Sequence, residues 1–425
     1  MKGIEKEVKT LKIKRYVTLI CIVACIMVVV LVTLNSRTNS KIAEKQLETV
    51  QAITIGERDP NTDNFTDITS EDGLHVPVPK GYVASPDAEE RYVNGVTTDG
   101  VRAHHGGFVI YEKNAGETDE QATTAIRNDL NTAKTTRNQW VWVPISKTGV
   151  NDMYHVTNGK IIGNYYTFGE SGYSKQTKET REPQVGPVEI DQKYLKEYME
   201  GIRRSEILQE MREEFYEMLE SVKTYGGFYI GRYETGNVRQ KSVKVVKGFT
   251  SIGYNKVNDI SDQSWYSYYK KLKSLRGKNP VKTGVIWDIQ WDETLKWLIN
   301  SGEKTYAEVG SDSTSWGNYS NSTFTYTDTN GNTSTKRSGL AGSGIVVPTG
   351  STEYTKANNI YDLAGNITEI TMAIYNESNA HYKSARGGYF NYEGNSWKNQ
   401  VSSVSGNNPN DNSWTVGCRA TLYIS

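Results

Sequence analysis

Cysteine is almost absent from this chain, with three residues in 425. Cys21 and Cys25 sit in one apolar run near the N-terminus, where small apolar filling accounts for them, and Cys418 stands alone in the remainder. No intrachain disulfide can staple that remainder, and no thiolate cluster can hold a metal there. An excess of charge of one sign is also lacking: 49 Lys and Arg face 49 Asp and Glu. That removes the global positive field of a nucleic-acid binder, and no nucleic-acid partner is expected. Histidine is scarce as well. His75, His104, His105, His155 and His381 form no metal-ligand spacing, and no HExxH occurs. No GxxxxGK[ST] phosphate loop, GxGxxG nucleotide turn or GxSxG nucleophile elbow is present. These absences weigh against an enzyme.

The clearest positive signal is YVTLICIVACIMVVVLVTLNS, from Tyr16 to Ser36, free of charge and bounded by Arg15 and Arg37. At about 1.5 Å per residue it can cross roughly 30 Å of hydrocarbon as a helix. A cleavable signal peptide is the rival, but the run is long and no small-x-small site follows it. The leading flank carries Lys2, Lys6, Lys9, Lys12, Lys14 and Arg15, against a sparser Arg37, Lys41 and Lys45 behind. The expectation is a single-pass protein of the cell membrane, its N-terminus cytoplasmic and its C-terminal domain extracellular. Residues 1–15 are then a basic tail, 16–36 a transmembrane helix and 37–73 a stalk and linker.

Beyond the linker, residues 74–138 read as a strand-rich extension and 139–425 as the principal domain. Pro77 and Pro79 in HVPVPKGYVAS favour an extended entry segment. GGFVIYE (106–112) and QWVWVPI (139–145) read as strands, the second with the composition of a buried one. In 189–227, Leu195, Met199 and Ile202 begin a helical stripe that Leu208, Met211, Phe215, Leu219 and Val222 prolong. Gly226 and Gly227 end it, and FYIGRYETG starts another strand. WDIQWDETLKWLI (287–299) reads as a shorter helix with Trp291, Leu295 and Leu298 inward. The Ser-, Thr-, Asn- and Gly-rich stretch after it reads as a long exposed hairpin or loop.

Asp288 and Asp292 are four apart and share a helix face, with Glu293 beside them. Paired carboxylates can serve acid–base chemistry, but a solvated helix face explains the spacing, and that is the reading adopted. Cys418, in the strand-like run WTVGCRATLYIS, reads as a packed and inert thiol.

Three motifs occur in order. The first is Asn359, Tyr361, Asp362, Leu363, Gly365 and Asn366 in NNIYDLAGNITEIT; the second is Arg386, Gly387 and Gly388; the third is Gly417, Cys418 and Arg419. The set resembles the formylglycine-generating-enzyme-like, C-type-lectin-like family, with cysteine at the usual phenylalanine of the third motif. The resemblance covers Gln139 to Ser425. It implies an α+β fold with two principal helices, small twisted sheets and long loops, here behind the transmembrane helix. Catalytic members of that family carry a cysteine pair after the Arg-Gly-Gly turn; GYFNYEGNSWKN has none, so oxidase chemistry is not implied. Some members bind structural calcium near the Gly-Asn motif, which makes Asn366 and Glu369 the candidate ligands. No other cofactor is expected.

The same fold serves as a display scaffold in bacterial and phage proteins diversified by reverse transcription, whose variable positions lie between Arg-Gly-Gly and the terminal strand. By that resemblance the candidate ligand contacts are Tyr389, Phe390, Asn391, Tyr392, Asn395, Ser396, Trp397, Asn407, Asn408, Asn412 and Trp414. Rings supply contact area at low entropy cost and amides supply adaptable hydrogen bonds. The function expected is a membrane-anchored exterior recognition protein for a protein or glycan ligand. A hydrolase or other enzyme with a dispersed carboxylate site, and a structural envelope protein without a ligand, are the alternatives.

Overall fold

The computed structural model describes residues 65–69, 75–91, 107–145, 147–157, 160–176, 204–236, 244–248, 265–275, 281–375, 382–397, 399–407 and 415–424. Two units divide the chain. Ile53–His155 with Ile162–Ser425 form the one analysed below, and Met1–Ala52 with Val156–Ile161 form the other, described only at 156–157 and 160–161.

Two sheets organise the larger unit. The first is wholly antiparallel and six-stranded, built from β1 (Tyr82–Ala84), β2 (Val109–Glu112), β3 (Gln139–Pro144), β4 (Gly227–Gly231), β5 (Val281–Val285) and β10 (Ala420–Ile424) in the order β5-β10-β4-β3-β2-β1. The second is four-stranded: β6 (Thr368–Ile374), β7 (Lys383–Arg386), β8 (Val404–Asn407) and β9 (Val416–Cys418), ordered β8-β7-β6-β9. Only β6 and β9 pair in parallel, with Glu369 opposite Gly417. The terminal run VGCRATLYI, expected as one strand, is two. Val416–Cys418 ends the second sheet, Ala420–Ile424 enters the first, and Arg419 is the single residue between them.

The centre of the first sheet is apolar on both faces, as QWVWVPI and GFYIG promise. Trp140, Val141, Trp142, Val143, Phe228, Tyr229 and Ile230 are all buried, and Trp142 packs its ring 4.9 Å from that of Tyr229. Such strands lose alternation because neither face meets water. Helix α3 (Arg204–Tyr225) lies against β4 and β10 through Met211, Phe215, Leu219 and Val222. The earlier part of the expected stripe, including Leu195, Met199 and Ile202, lies outside the described residues. Helix α1 (Asp119–Asn128) opens with a reciprocal cap, Thr118 Oγ1 accepting from the Gln121 amide while Gln121 Oε1 accepts from that of Thr118. Such a cap satisfies two otherwise orphaned donors. A short α2 (Leu130–Thr136) follows, and α4 (Trp265–Lys273) packs on β5.

Helix α5 (Asp288–Asn300) matches the expected 287–299 closely, but it is buried from Asp288 to Leu298 on every face. The solvated face assigned to Asp288, Asp292 and Glu293 is therefore corrected: all three carboxylates are inside. The expected hairpin after it is present as Phe324–Thr327 paired with Thr333–Lys336. Its leading residues Ser313, Asn318, Tyr319, Ser320 and Ser322 are buried, however, and not a loose excursion.

Among the described residues no helix is long and apolar enough to cross a membrane. The longest, α3, has 22 residues but carries charge along its length, from Arg204 and Glu210 to Glu220 and Lys223. The expected architecture of a domain behind an N-terminal transmembrane helix is corrected accordingly, to a mixed α+β domain. Residues 16–36 themselves lie outside the described residues. The single-pass topology, the membrane contact and the cell-membrane and extracellular location hung on that anchor and are withdrawn with it, and so is the exterior setting of the expected protein or glycan partner.

Candidate functional site

The three motifs converge on the seam between the sheets. Asn358, Asn359, Asp362 and Asn366 all have left-handed backbone, with φ of 44°, 65°, 57° and 59°. Asn and Asp tolerate that region better than other side chains that carry a Cβ. Their polar ends then organise the surrounding loops. Asp362 accepts from the Gly350 amide at 2.7 Å and from the Thr349 and Thr355 hydroxyls at 2.9 and 2.7 Å. Asn366 donates to Glu234 at 2.6 Å and to the Val347 carbonyl at 3.2 Å. Its Oδ1 accepts from Asn318 and from the Val347 amide. Asn359 donates to the Gly107 carbonyl at 2.9 Å, tying the motif to the strand β2 region.

Arg419 lies across the seam. Its guanidinium grips both oxygens of Glu369 and donates to the carbonyls of Gly231 and Tyr361, each at 2.9 Å. Burial pushes the Glu369 carboxyl up to about 7 against the pull of Arg419. Burial likewise raises Asp362, and it raises Glu234 further, with help from the charges of Asp362 and Glu369. The calcium ligands expected at Asn366 and Glu369 are thus already in use. Both amide ends of Asn366 and both oxygens of Glu369 have protein partners, and a guanidinium sits where a cation would. Among the described residues no cluster of three or more His, Cys, Asp or Glu could hold a metal.

Arg386 plays the matching part at the second motif. It is fully buried and pairs with Asp292, with Asp288 3.8 Å from its Nη1. Asp288 also accepts from Ser384 and Thr371, each at 2.8 Å, and Asp292 from the Tyr166 amide at 2.8 Å. The four-residue spacing of the acids was visible in the sequence. Its meaning depends on an arginine far along the chain, which spacing alone cannot reveal. A third cluster, centred on Arg232 and Glu90, had no sequence signal. Burial would raise Glu90, but Arg232 and Lys134 overcome it and hold the carboxyl at about 2.

The Arg-Gly-Gly turn then releases the chain into the segment of expected contacts. Gly388 has φ of +69°, and a Cβ there would lie 2.0 Å from the Asn399 carbonyl oxygen. Asn399, buried, accepts from the Tyr389 amide and donates to the Glu393 carbonyl, closing the loop on itself. Phe390 is 3% exposed and packs on Ile367, which removes it from the contact set and makes it core. Tyr389, Asn391, Ser396 and Asn407 are half-buried, and Asn395 is exposed. Tyr392 and Trp397 are open to solvent, at 46% and 81%. Asn408, Asn412 and Trp414 lie outside the described residues.

A second loop, missed in the sequence, borders this one. The Gly342 amide donates to the Asn391 carbonyl at 2.7 Å, and the Ser320 amide to that of Tyr392 at 2.9 Å. A Cβ at Gly344 would sit 1.8 Å from the Phe390 carbonyl oxygen, so the two backbones touch. Leu340 and Ile345 on that loop are exposed by 81% and 41%. With Tyr392 and Trp397 they complete the large apolar side chains that face solvent on these two loops.

One further cavity holds acids paired with lysines. A cavity of about 160 Å³ is lined by Glu210, Glu214 and Glu217 of α3 facing Lys273 and Lys282. Lys273 pairs with Glu210 and Glu214, and Lys282 with Glu217. Cys418 is fully buried, and burial drives its thiol well above the ordinary range, away from the thiolate a nucleophile needs. Neither a family model nor a curated protein matches the chain.

Proposed function

We propose that this chain is a non-catalytic binding domain of the formylglycine-generating-enzyme-like, C-type-lectin-like class, with its contact surface on the paired loops 339–346 and 389–397. This reading needs no anchor and implies no location. The observation that carries it is the division of labour after Arg386. Apart from Nε and Nη1 of Arg386, which have no hydrogen-bond partner, the charged and amide groups of the three motifs are spent on internal partners, whereas Tyr392 and Trp397 stand in solvent on a segment closed by Asn399. Large rings on a rigidly held loop are what recognition hot spots use. The non-catalytic part is supported by the buried, protonated Cys418 and by acids neutralised by Arg386, Arg419 and lysines.

The test presents the full chain and its Tyr392→Ala/Trp397→Ala variant in parallel to a displayed-peptide library and a glycan array. Ligands captured by the parent and weakened at least about thirtyfold in a variant of equal thermal stability support the reading. Ligands that bind both equally, or none at all, reject this surface.

A further inference from the structure

A cleft of about 730 Å³ lies between the hairpin Phe65–Thr69/His75–Pro79, strand β1 and helix α1. None of the residues of the paired loops 339–346 and 389–397, hereafter the rim, lines it. Its size falls in the range of small-molecule sites, roughly 300–1,000 Å³. Asp119, Thr123 and Arg127 reach it from one face of α1, at the four-residue spacing that stacks side chains along a helix. Phe65, Ile68, Val78 and Val83 give it an apolar wall.

The charge lining this cleft is one-sided in a chain that is neutral overall. Lys80, Arg91, Lys113 and Arg127 face it, against Asp119 as the one acid among the described lining residues. Lys113 pairs with Asp119 at 2.5 Å. Lys80, Arg91 and Arg127 form no ion pair with any described residue. Two buried polar atoms of the lining also have no hydrogen-bond partner: Nε of Arg91 and the hydroxyl of Tyr82, a residue only 4% exposed. Such orphans also occur elsewhere among the described residues, at Trp140, Ser221 and Arg386 among others, and the Glu112 charge acts on the Tyr82 hydroxyl, so it is the Arg91 Nε, in a cleft with two further unpaired cations, that calls for a partner. Lys80 and Arg127 are exposed and Arg91 half-buried, so water screens their mutual repulsion, and their use to a ligand is the positive potential that three cations give one concave wall.

We propose that this cleft binds a small phosphate monoester carried on an apolar body. Three uncompensated cations match a dianionic phosphoryl group better than a single carboxylate, and guanidinium forks suit its oxygens. The apolar wall takes the remainder of the molecule. The site is separate from the rim and does not depend on the binding function proposed for it.

The experiment is calorimetric titration of the full chain with 1-naphthyl phosphate, 1-naphthol and inorganic phosphate at low salt. Vesicles containing phosphatidic acid run beside them, so that a lipid head group is told from a soluble ester. The ester should bind at least about tenfold more tightly than the alcohol. Arg91→Gln with Arg127→Gln should lose at least about tenfold at an unchanged melting temperature. The charge-matched control, Lys270→Gln with Arg337→Gln, should keep parent affinity. If the double variant melts early, Lys80→Gln gives the same reading at about threefold. No preference for the ester over the alcohol, or an equal loss in the control, overturns the site.

Discussion

Arg419 and Glu369 meet through two hydrogen bonds, Nε to Oε2 at 2.9 Å and Nη2 to Oε1 at 2.5 Å, with neither residue exposed. Because Arg419 is the one residue between β9 and β10, this pair fixes how the terminal strand passes from one sheet to the other. Arg419→Met strands a buried carboxyl and frees the Gly231 and Tyr361 carbonyls. It should cost about 3–5 kcal/mol in urea unfolding. Adding Glu369→Met should recover a large part of that loss, since an apolar pair replaces a buried ionic one at little net cost. A single-variant loss below about 1 kcal/mol would show that the pair does not hold the seam.

Lys383 offers a test by pH. Its Nζ donates to the Met372 carbonyl at 2.9 Å and lies 4.0 Å from the Trp265 ring centroid. Burial holds it down at about 7, against 10.5 for an ordinary lysine. Between those values the unfolded chain binds the extra proton, so stability should rise with pH across that window and fall as pH drops back toward 7. Lys383→Met removes this dependence. Melting temperatures at pH 7.5 and 9.5 should converge in the variant and differ in the parent. An equal slope in both would place the lysine's charge in water.

What the sequence makes legible follows the range of the interaction. QWVWVPI, GFYIG and the α5 stretch declare themselves through local composition and periodicity, and each lies within a residue or two of its expected place. The pairing of Asp292 with Arg386 links residues 94 apart, so the acids alone read as a solvated face. Alternating rings and amides look the same whether a given ring points in or out, so the sequence alone does not separate Phe390 from its exposed neighbours. Its burial is decided by Ile367 and the Arg-Gly-Gly turn. Leu340 and Ile345 had no signal, since a Gly- and Ser-rich loop shows nothing of what it lies against.

The rim proposal requires that the loop be held by Gly388 and Phe390 and that Trp397 and Tyr392, whose ring centroid lies 5.2 Å from that of Tyr389, contribute little to folding. Gly388→Ala places a Cβ 2.0 Å from the Asn399 carbonyl oxygen at a φ of +69°, so backbone must shift. Hydrogen exchange should then quicken at the Tyr389 and Phe390 amides, which are bonded to Asn399 Oδ1 and the Asn366 carbonyl. The amides of β3 and β4 should keep parent protection, because the disturbance is local. Phe390→Ala should cost about 3 kcal/mol, as a buried ring leaves a cavity. Trp397→Ala should cost less than about 0.5 kcal/mol. If Trp397→Ala proves as costly as Phe390→Ala, the exposed ring is part of the packing and the rim is not a free surface.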